Sequence, residues 1–244
     1  MNELPASPEK KGYSAEDFQL ALPDQASFET TPPEELHAMW RKNHAKLRDL
    51  LQKINPPFFG LHGTSQNAAE AIEASQGGHF EIATFYDKAY DQDQFLYQLY
   101  AAAMYTVSYA KMDSKTNTRP EKPGKLFVFN VERKEKNKEL RWERLKSGSD
   151  MSLSLSFDTD GEREQFENLR EEDNLLWRSD MYLSPDNFAE YSVGTIDLAS
   201  DELLPYSARG GDMAHIVFRQ RLLAQQTVAQ TLRLFADRGK DQVE

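Results

Sequence analysis

Short apolar runs separated by turn residues begin at Phe58, and this change of rhythm constrains the fold more than any other feature of the sequence. Runs of this kind predict β-strands. The clearest is Leu126-Phe-Val-Phe-Asn-Val131, which follows Pro123-Gly124 and precedes the charged run 132–139. The expected strands are Phe58–His62, Glu81–Tyr86, Leu126–Val131, Ser152–Phe157 and Tyr191–Leu198.

Segments with helical spacing of apolar residues lie between and after these strands. The expected helices are Asn67–Ser75, Gln94–Lys111, Gly161–Glu172 and a C-terminal helix from Asp212 to about Arg238. Strands and helices alternate without a regular repeat, so the sequence predicts an α+β fold with mainly antiparallel strands. We expect one core over 58–200 and a C-terminal helical extension over 201–244.

The N-terminal third divides into an arm and a helix. Residues 1–30 carry few apolar side chains, so we expect an irregular arm. Thr31-Pro-Pro-Glu34 has the spacing of a capping box, and Asn55-Pro-Pro57 ends the apolar periodicity that follows. The sequence therefore predicts an amphipathic helix over 31–55 that packs on the core. Its apolar residues are Leu36, Met39, Trp40, Leu47, Leu50, Leu51 and Ile54.

Composition excludes several classes of function. The 244 residues include no cysteine, which excludes disulfides, thiol catalysis and cysteine-ligated metals. A net charge of −11 disfavours nucleic-acid partners. No apolar stretch approaches the roughly 20 residues that cross a bilayer, and the first residues lack the features of a signal peptide. We expect a soluble protein with no membrane partner, either cytoplasmic or delivered into a host cytosol without a signal peptide.

Common catalytic motifs are missing, and one segment stands out. The sequence has no dinucleotide fingerprint, P-loop, HExxH motif or complete EF-hand loop, and we expect no metal cofactor. In Phe58-Phe-Gly-Leu-His-Gly-Thr-Ser65, an expected strand ends in His-Gly-Thr and leads directly into a helix. This order places an imidazole, a glycine backbone and a hydroxyl at one sheet edge, where a ligand could approach the glycine closely.

Further segments follow in a characteristic order. They are Phe85-Tyr86, Tyr100-Ala-Ala-Ala-Met-Tyr105, Gly124-Lys-Leu-Phe-Val-Phe129 and Ala189-Glu190-Tyr191-Ser-Val-Gly-Thr-Ile196. Together with His62-Gly63-Thr64, that order resembles the ADP-ribosyltransferases of the diphtheria toxin and exotoxin A class, and more distantly the poly(ADP-ribose) polymerases. The resemblance covers roughly residues 58–198. It implies a single ADP-ribosyltransferase-like domain with the N-terminal and C-terminal helices added.

The resemblance also implies an activity. A mono-ADP-ribosyltransferase of this class, such as a bacterial toxin or effector, uses NAD as substrate, transfers ADP-ribose to a protein acceptor and releases nicotinamide. Glu190 would be the catalytic carboxylate, because the last strand of this class opens with the catalytic glutamate, and Glu190-Tyr191 matches that position. A fixed carboxylate stabilises the oxocarbenium-like ribose that forms as the glycosidic bond breaks.

The resemblance assigns the NAD-binding residues as well. His62 would bind a ribose hydroxyl, the Gly63 backbone would hold the nicotinamide amide, and Thr64 would belong to the same site. Tyr86 and Tyr105 would stack on the nicotinamide ring. The interval between those two tyrosines is 19 residues, longer than is usual in the family, so Tyr109 competes with Tyr105 for this role.

Structural roles and other functions are open alternatives. A histidine at a strand end and tyrosines at helical spacing often serve a core, and Glu190 could be a surface carboxylate. The alternative functions are NAD hydrolysis in the same site and a catalytically silent member that binds a protein or ADP-ribose. Residues 132–186 resemble no element that we can name.

Overall fold

A computed structural model describes residues 12–24, 27–84, 92–110, 123–131, 141–144, 177–200, 202–204 and 213–241. Three predictions from the sequence lie outside these residues. They are the strand at Ser152–Phe157, the helix at Gly161–Glu172 and the position of Tyr86.

The described chain is a mixed structure of helices and one antiparallel sheet, as the α+β prediction requires. The strands are β1 Phe59–Thr64, β2 Gly78–Thr84, β3 Lys125–Asn130, β4 Arg141–Arg144, β5 Trp177–Leu183 and β6 Ser192–Asp197. The helices are α1 Pro33–Ile54, α2 Gln66–Ser75, α3 Gln92–Ala110, α4 Pro185–Tyr191 and α5 Met213–Asp241. The strand order is β4-β5-β2-β1-β3-β6, which places β1 and β3 in the interior of the sheet.

The sheet is covered on both faces at its centre. One face packs against α3 and α5, and it carries Leu61 and Val128. The opposite face carries an aromatic cluster of Phe80, Phe127 and Phe129, which Phe188 of α4 covers. Burial on both faces explains why Leu126–Phe129 is a continuous apolar run rather than an alternating one.

Two strands and one helix were not expected from the sequence. β5 pairs with β2 along its whole length, and β4 pairs with β5 in turn. The β5 sequence, Trp-Arg-Ser-Asp-Met-Tyr-Leu, mixes charged and apolar residues, so its strand character comes from pairing rather than from composition. Ser184 caps the short helix α4, and its hydroxyl oxygen accepts from the Asn187 N–H.

Helix α1 occupies the expected segment but begins differently. The residue before the helix is Pro32, and it makes no side-chain cap. The Thr31 hydroxyl donates instead to the Ser27 carbonyl at 2.9 Å, so the predicted capping box is wrong. Asn55 ends the helix in the left-handed conformation, with φ 45°, and its N–H returns to the Leu51 carbonyl.

The described part of the N-terminal arm, residues 12–24 and 27–30, packs onto the helices. It contains two 3-10 turns, Ala15–Phe18 and Phe28–Thr30, and both phenylalanines are buried. The Asn43 side chain of α1 pairs with the backbone N–H and carbonyl of Ala21. A few apolar side chains are enough to order this segment because they pack against residues of the helices.

Helix α5 contacts several other elements of the described chain. It packs against α1, α3, β6 and the first 3-10 turn, and every residue from 221 to 229 is buried. Two of its buried glutamine side chains, Gln225 and Gln226, bond to backbone groups of other segments. The Gln226 amide accepts from the Leu204 N–H and donates to the Glu202 carbonyl, both at 2.8 Å. Among the described helices, none has the length and apolar character needed to span a membrane.

Candidate functional site

The two central strands of the sheet, β1 and β2, are also linked by a side chain. Within the described residues, register between them is held at one pair, Leu61 with Ala83, whereas β1 and β3 pair from Phe59 to Thr64. The imidazole of His62 crosses this junction. Its Nδ1 lies 2.8 Å from the Glu81 carbonyl oxygen of β2. The His62 side chain thus makes a hydrogen bond between β1 and β2, in addition to the backbone pairing.

The surroundings of His62 fix its protonation. The ring packs edge-on against Phe80, with centroids 5.4 Å apart, and also contacts Phe127. Burial lowers the pKa of His62 below its usual value of 6.5, the hydrogen bond to Glu81 opposes that shift, and His79 adds to it. His62 is therefore neutral at pH 7. Because a carbonyl can only accept, Nδ1 carries the hydrogen, and Nε2 is the accepting nitrogen.

The side chain of Glu81 connects this junction to two tyrosines of α3. The Tyr105 hydroxyl lies 3.4 Å from the Glu81 Oε1, and the Tyr105 and Tyr109 hydroxyls are 3.2 Å apart. The two rings meet at an interplanar angle of 56°, with centroids 4.8 Å apart. Tyr109 is 48% exposed, so solvent and ligands reach its ring. Glu81 therefore contacts His62 through its backbone and Tyr105 through its carboxylate.

Gly63 has a packing role that the sequence did not reveal. A Cβ at this position would overlap the carbonyl oxygen of Thr106 in α3. Close approach of α3 to β1 thus excludes a side chain at Gly63 without any ligand. Thr64 ends β1, and its carbonyl oxygen occupies the space that a Cβ at Gly124 would need. Both residues lie beside His62, and Gly63 brings α3 close to the strand that carries the histidine.

Glu190 belongs to a different element from these residues, the short helix α4. The expectation that it opens the last strand differs from the structure, in which β6 begins at Ser192 and Glu190 belongs to α4. Its side chain is exposed. Phe188, two residues earlier, packs on Phe80 and Phe127, and these two rings also contact His62. The aromatic cluster thus separates the inward face of α4 from the histidine.

The earlier tyrosines of α3 serve the core, as their helical spacing suggested. Tyr100 is fully buried against Trp40, with ring centroids 5.1 Å apart. Its hydroxyl lies 3.2 Å from the His44 Nδ1, and Tyr97 stacks on the same imidazole. The helix therefore divides into a core half with Tyr97 and Tyr100 and a half near β2 with Tyr105 and Tyr109.

Sequence reasoning missed Glu81 and a neighbouring aromatic pair. Glu81 stands between Phe80 and Ile82, two fully buried residues, and a carboxylate inside such a strand was the signal available. His79 and Tyr182 are register partners on β2 and β5, and their rings stack with centroids 4.5 Å apart. Because alternate residues share a face, His79 lies on the same face of β2 as Glu81.

Two further findings concern metal ligands in the described residues and the similarity of the chain to known proteins. Among the residues that the structure describes, no three carboxylate or imidazole side chains are grouped as metal ligands. Comparisons of the chain with protein-family models, with curated proteins and with solved structures find no match.

Proposed function

We propose that this chain is an NAD-dependent mono-ADP-ribosyltransferase with an ADP-ribosyltransferase-like domain, which modifies a protein acceptor and releases nicotinamide. The observation that carries the proposal is the contact chain from His62 through Glu81 to Tyr105 and Tyr109. It joins the histidine and both candidate tyrosines that the resemblance assigns to NAD binding. Chain segments well separated in sequence supply these residues. The contact chain crosses the sheet, because the His62 ring packs on Phe80 and Phe127 whereas the Glu81 carboxylate faces α3.

The protonation of His62 suits a ribose hydroxyl. With Nδ1–H donated to the Glu81 carbonyl, the Nε2 lone pair can accept a hydrogen bond from a hydroxyl group. A neutral imidazole also avoids repelling the positive charge that develops on the ribose. The exposed ring of Tyr109 and the half-buried ring of Tyr105 offer apolar surface to a flat nicotinamide ring. Tyr86 remains the third aromatic residue of the proposal.

The reaction balances without any further cofactor. The bond between the nicotinamide nitrogen and the ribose carbon breaks, and its electron pair leaves with nicotinamide. A nucleophile of the acceptor protein forms the new bond to that carbon and loses a proton. Glu190 is the carboxylate that the resemblance supplies for the oxocarbenium-like transition state, and its exposure leaves it open to substrate. Water in place of the acceptor would give NAD hydrolysis.

The test uses the full chain, NAD labelled in its adenylate half, and a cell lysate. Label on a protein band is the expected result. Nicotinamide release without label on protein would indicate NAD hydrolysis instead of transfer. If neither labelled protein nor nicotinamide forms, the chain has only a binding role. Glu190→Gln keeps the shape of the side chain but removes its charge, and we expect turnover to fall on the order of 10²–10³-fold. Glu35→Gln, an exposed change on α1, is the control and should keep full turnover.

A further inference from the structure

We infer that Glu81 is a ligand-binding residue, and that its carboxylate with Tyr105 and Tyr109 forms a subsite selective for a positively charged aromatic ring. The inference rests on the proposed function for the identity of that ring, which is the pyridinium of oxidised NAD. The family resemblance assigns no role to this position of β2. The contacts of its side chain supply the role.

Geometry places a negative charge beside an accessible aromatic surface. The Glu81 carboxylate oxygen is within 3.4 Å of the Tyr105 hydroxyl, and the Tyr109 ring is nearly half exposed. A cation over a tyrosine face is attracted by the electrons of the ring, and a nearby carboxylate adds a Coulomb attraction. A neutral ring gains the stacking alone. The subsite thus distinguishes ligands by charge rather than by shape.

This selectivity has a consequence during the reaction. The pyridinium of NAD is positively charged before the glycosidic bond breaks, and the nicotinamide that leaves is neutral. The attraction to Glu81 therefore acts on the substrate and is lost in the product, which favours nicotinamide release. Because the attraction acts on the bound substrate and weakens as the glycosidic bond breaks, removing it raises KM and does not lower kcat. A carboxylate that acted on the oxocarbenium-like ribose would instead lower kcat.

The experiment compares two ligands of nearly the same shape. 1-Methylnicotinamide carries a positive ring and nicotinamide a neutral one, and calorimetric titration of the full chain measures both affinities. We expect the wild-type chain to bind the cation about tenfold more tightly. Glu81→Gln should remove most of that preference, whereas Glu81→Asp, which keeps the charge, and the control Glu35→Gln should retain it. The melting temperature of each variant checks that it folds.

The outcomes separate this inference from the proposed function. A preference for the cation that Glu81→Gln removes supports the inference, even if no NAD is consumed and the proposed transfer fails. Consumption of NAD by a chain that binds both ligands equally would overturn the inference and leave the proposed function standing. A preference that survives in a folded Glu81→Gln variant would also overturn it. A loss of kcat at unchanged KM in that variant would reassign Glu81 to the transition state.

Discussion

His62 shows how one contact sets the chemistry of a residue. Its Nδ1–H is held by the Glu81 carbonyl, and two phenylalanine rings remove water from its surroundings. Burial of this kind favours the neutral imidazole and lowers its pKa. The adjacent Gly63 has no side chain because the Thr106 carbonyl occupies that space. A histidine ready to accept a hydrogen bond therefore lies on a strand pressed closely against α3.

The lowered pKa of His62 predicts how stability changes with pH. Below pH 6.5 the unfolded chain takes up a proton at this histidine more readily than the folded chain, so folding weakens as the pH falls. The limit for one proton is about 1.4 kcal/mol per pH unit. His62→Asn removes the titration and offers an amide N–H to the Glu81 carbonyl. Urea unfolding from pH 7.5 to 5 should show the stability gap between wild type and variant narrowing, and a constant gap would contradict the lowered pKa.

At the scale of elements, α1 carries much of the packing between the helices. Leu47 is fully buried, whereas Lys42 on the same helix is exposed. Leu47→Ala leaves a cavity and should cost about 2–5 kcal/mol in the free energy of unfolding. Lys42→Ala should stay within about 0.5 kcal/mol. Chemical denaturation of both variants measures the contrast. Equal stabilities would mean that α1 is not part of the cooperative core.

Elements with strong local patterns could be predicted from the sequence, and elements defined by pairing could not. The apolar run of β3 and the periodicity of α1 and α5 depend on residues close in sequence, and these elements were placed within a few residues. β5 depends on pairing with β2, from which it is separated by almost a hundred residues along the chain, so its mixed composition gave no signal. The capping box failed for a related reason, because Thr31 bonds to Ser27 instead.

The residues of the candidate site also divide into those that could be predicted from the sequence and those that could not. His62, Tyr105 and Tyr109 could be named from the sequence because the order of their segments resembles a family. Glu81 could not, because its importance comes from contacts with a histidine on one neighbouring element and a tyrosine on another. Glu190 was placed on a strand, and the structure has it near the end of a short helix. A polar residue at an element boundary fits either assignment when only the sequence is known.

At the scale of the whole molecule, α5 holds the sheet, α1 and the N-terminal arm together. Phe235 packs on Phe59 of β1, and His215 bonds to the Thr31 carbonyl at the other end of the helix. Burying one such large apolar side chain contributes about 1.5–3 kcal/mol, against a total stability of about 5–15 kcal/mol. Helix α5 buries several such side chains. Losing all of them would therefore cost more free energy than the total stability of the fold.

A chain ending at Asp212 should show no cooperative thermal transition by circular dichroism, because it exposes the surfaces that α5 covers. A chain ending at Asp241 keeps the whole helix and serves as the control, with a melting temperature close to that of the full chain. A cooperative transition at the wild-type temperature in the shorter chain would show that the rest of the fold does not need α5.

The position of the NAD site is tested most directly by two tyrosines of similar exposure. Tyr109 is 48% exposed beside Glu81 and Tyr105, and Tyr182 is 53% exposed on β5, stacked on His79. Replacing either by alanine removes a similar surface ring with little effect on folding. Calorimetric titration with NAD should show that Tyr109→Ala binds several-fold more weakly than wild type, because stacking contributes about 1 kcal/mol, whereas Tyr182→Ala binds as wild type does. Equal losses in the two variants, or full affinity in Tyr109→Ala, would contradict an NAD site at the His62–Glu81–Tyr105 contact chain.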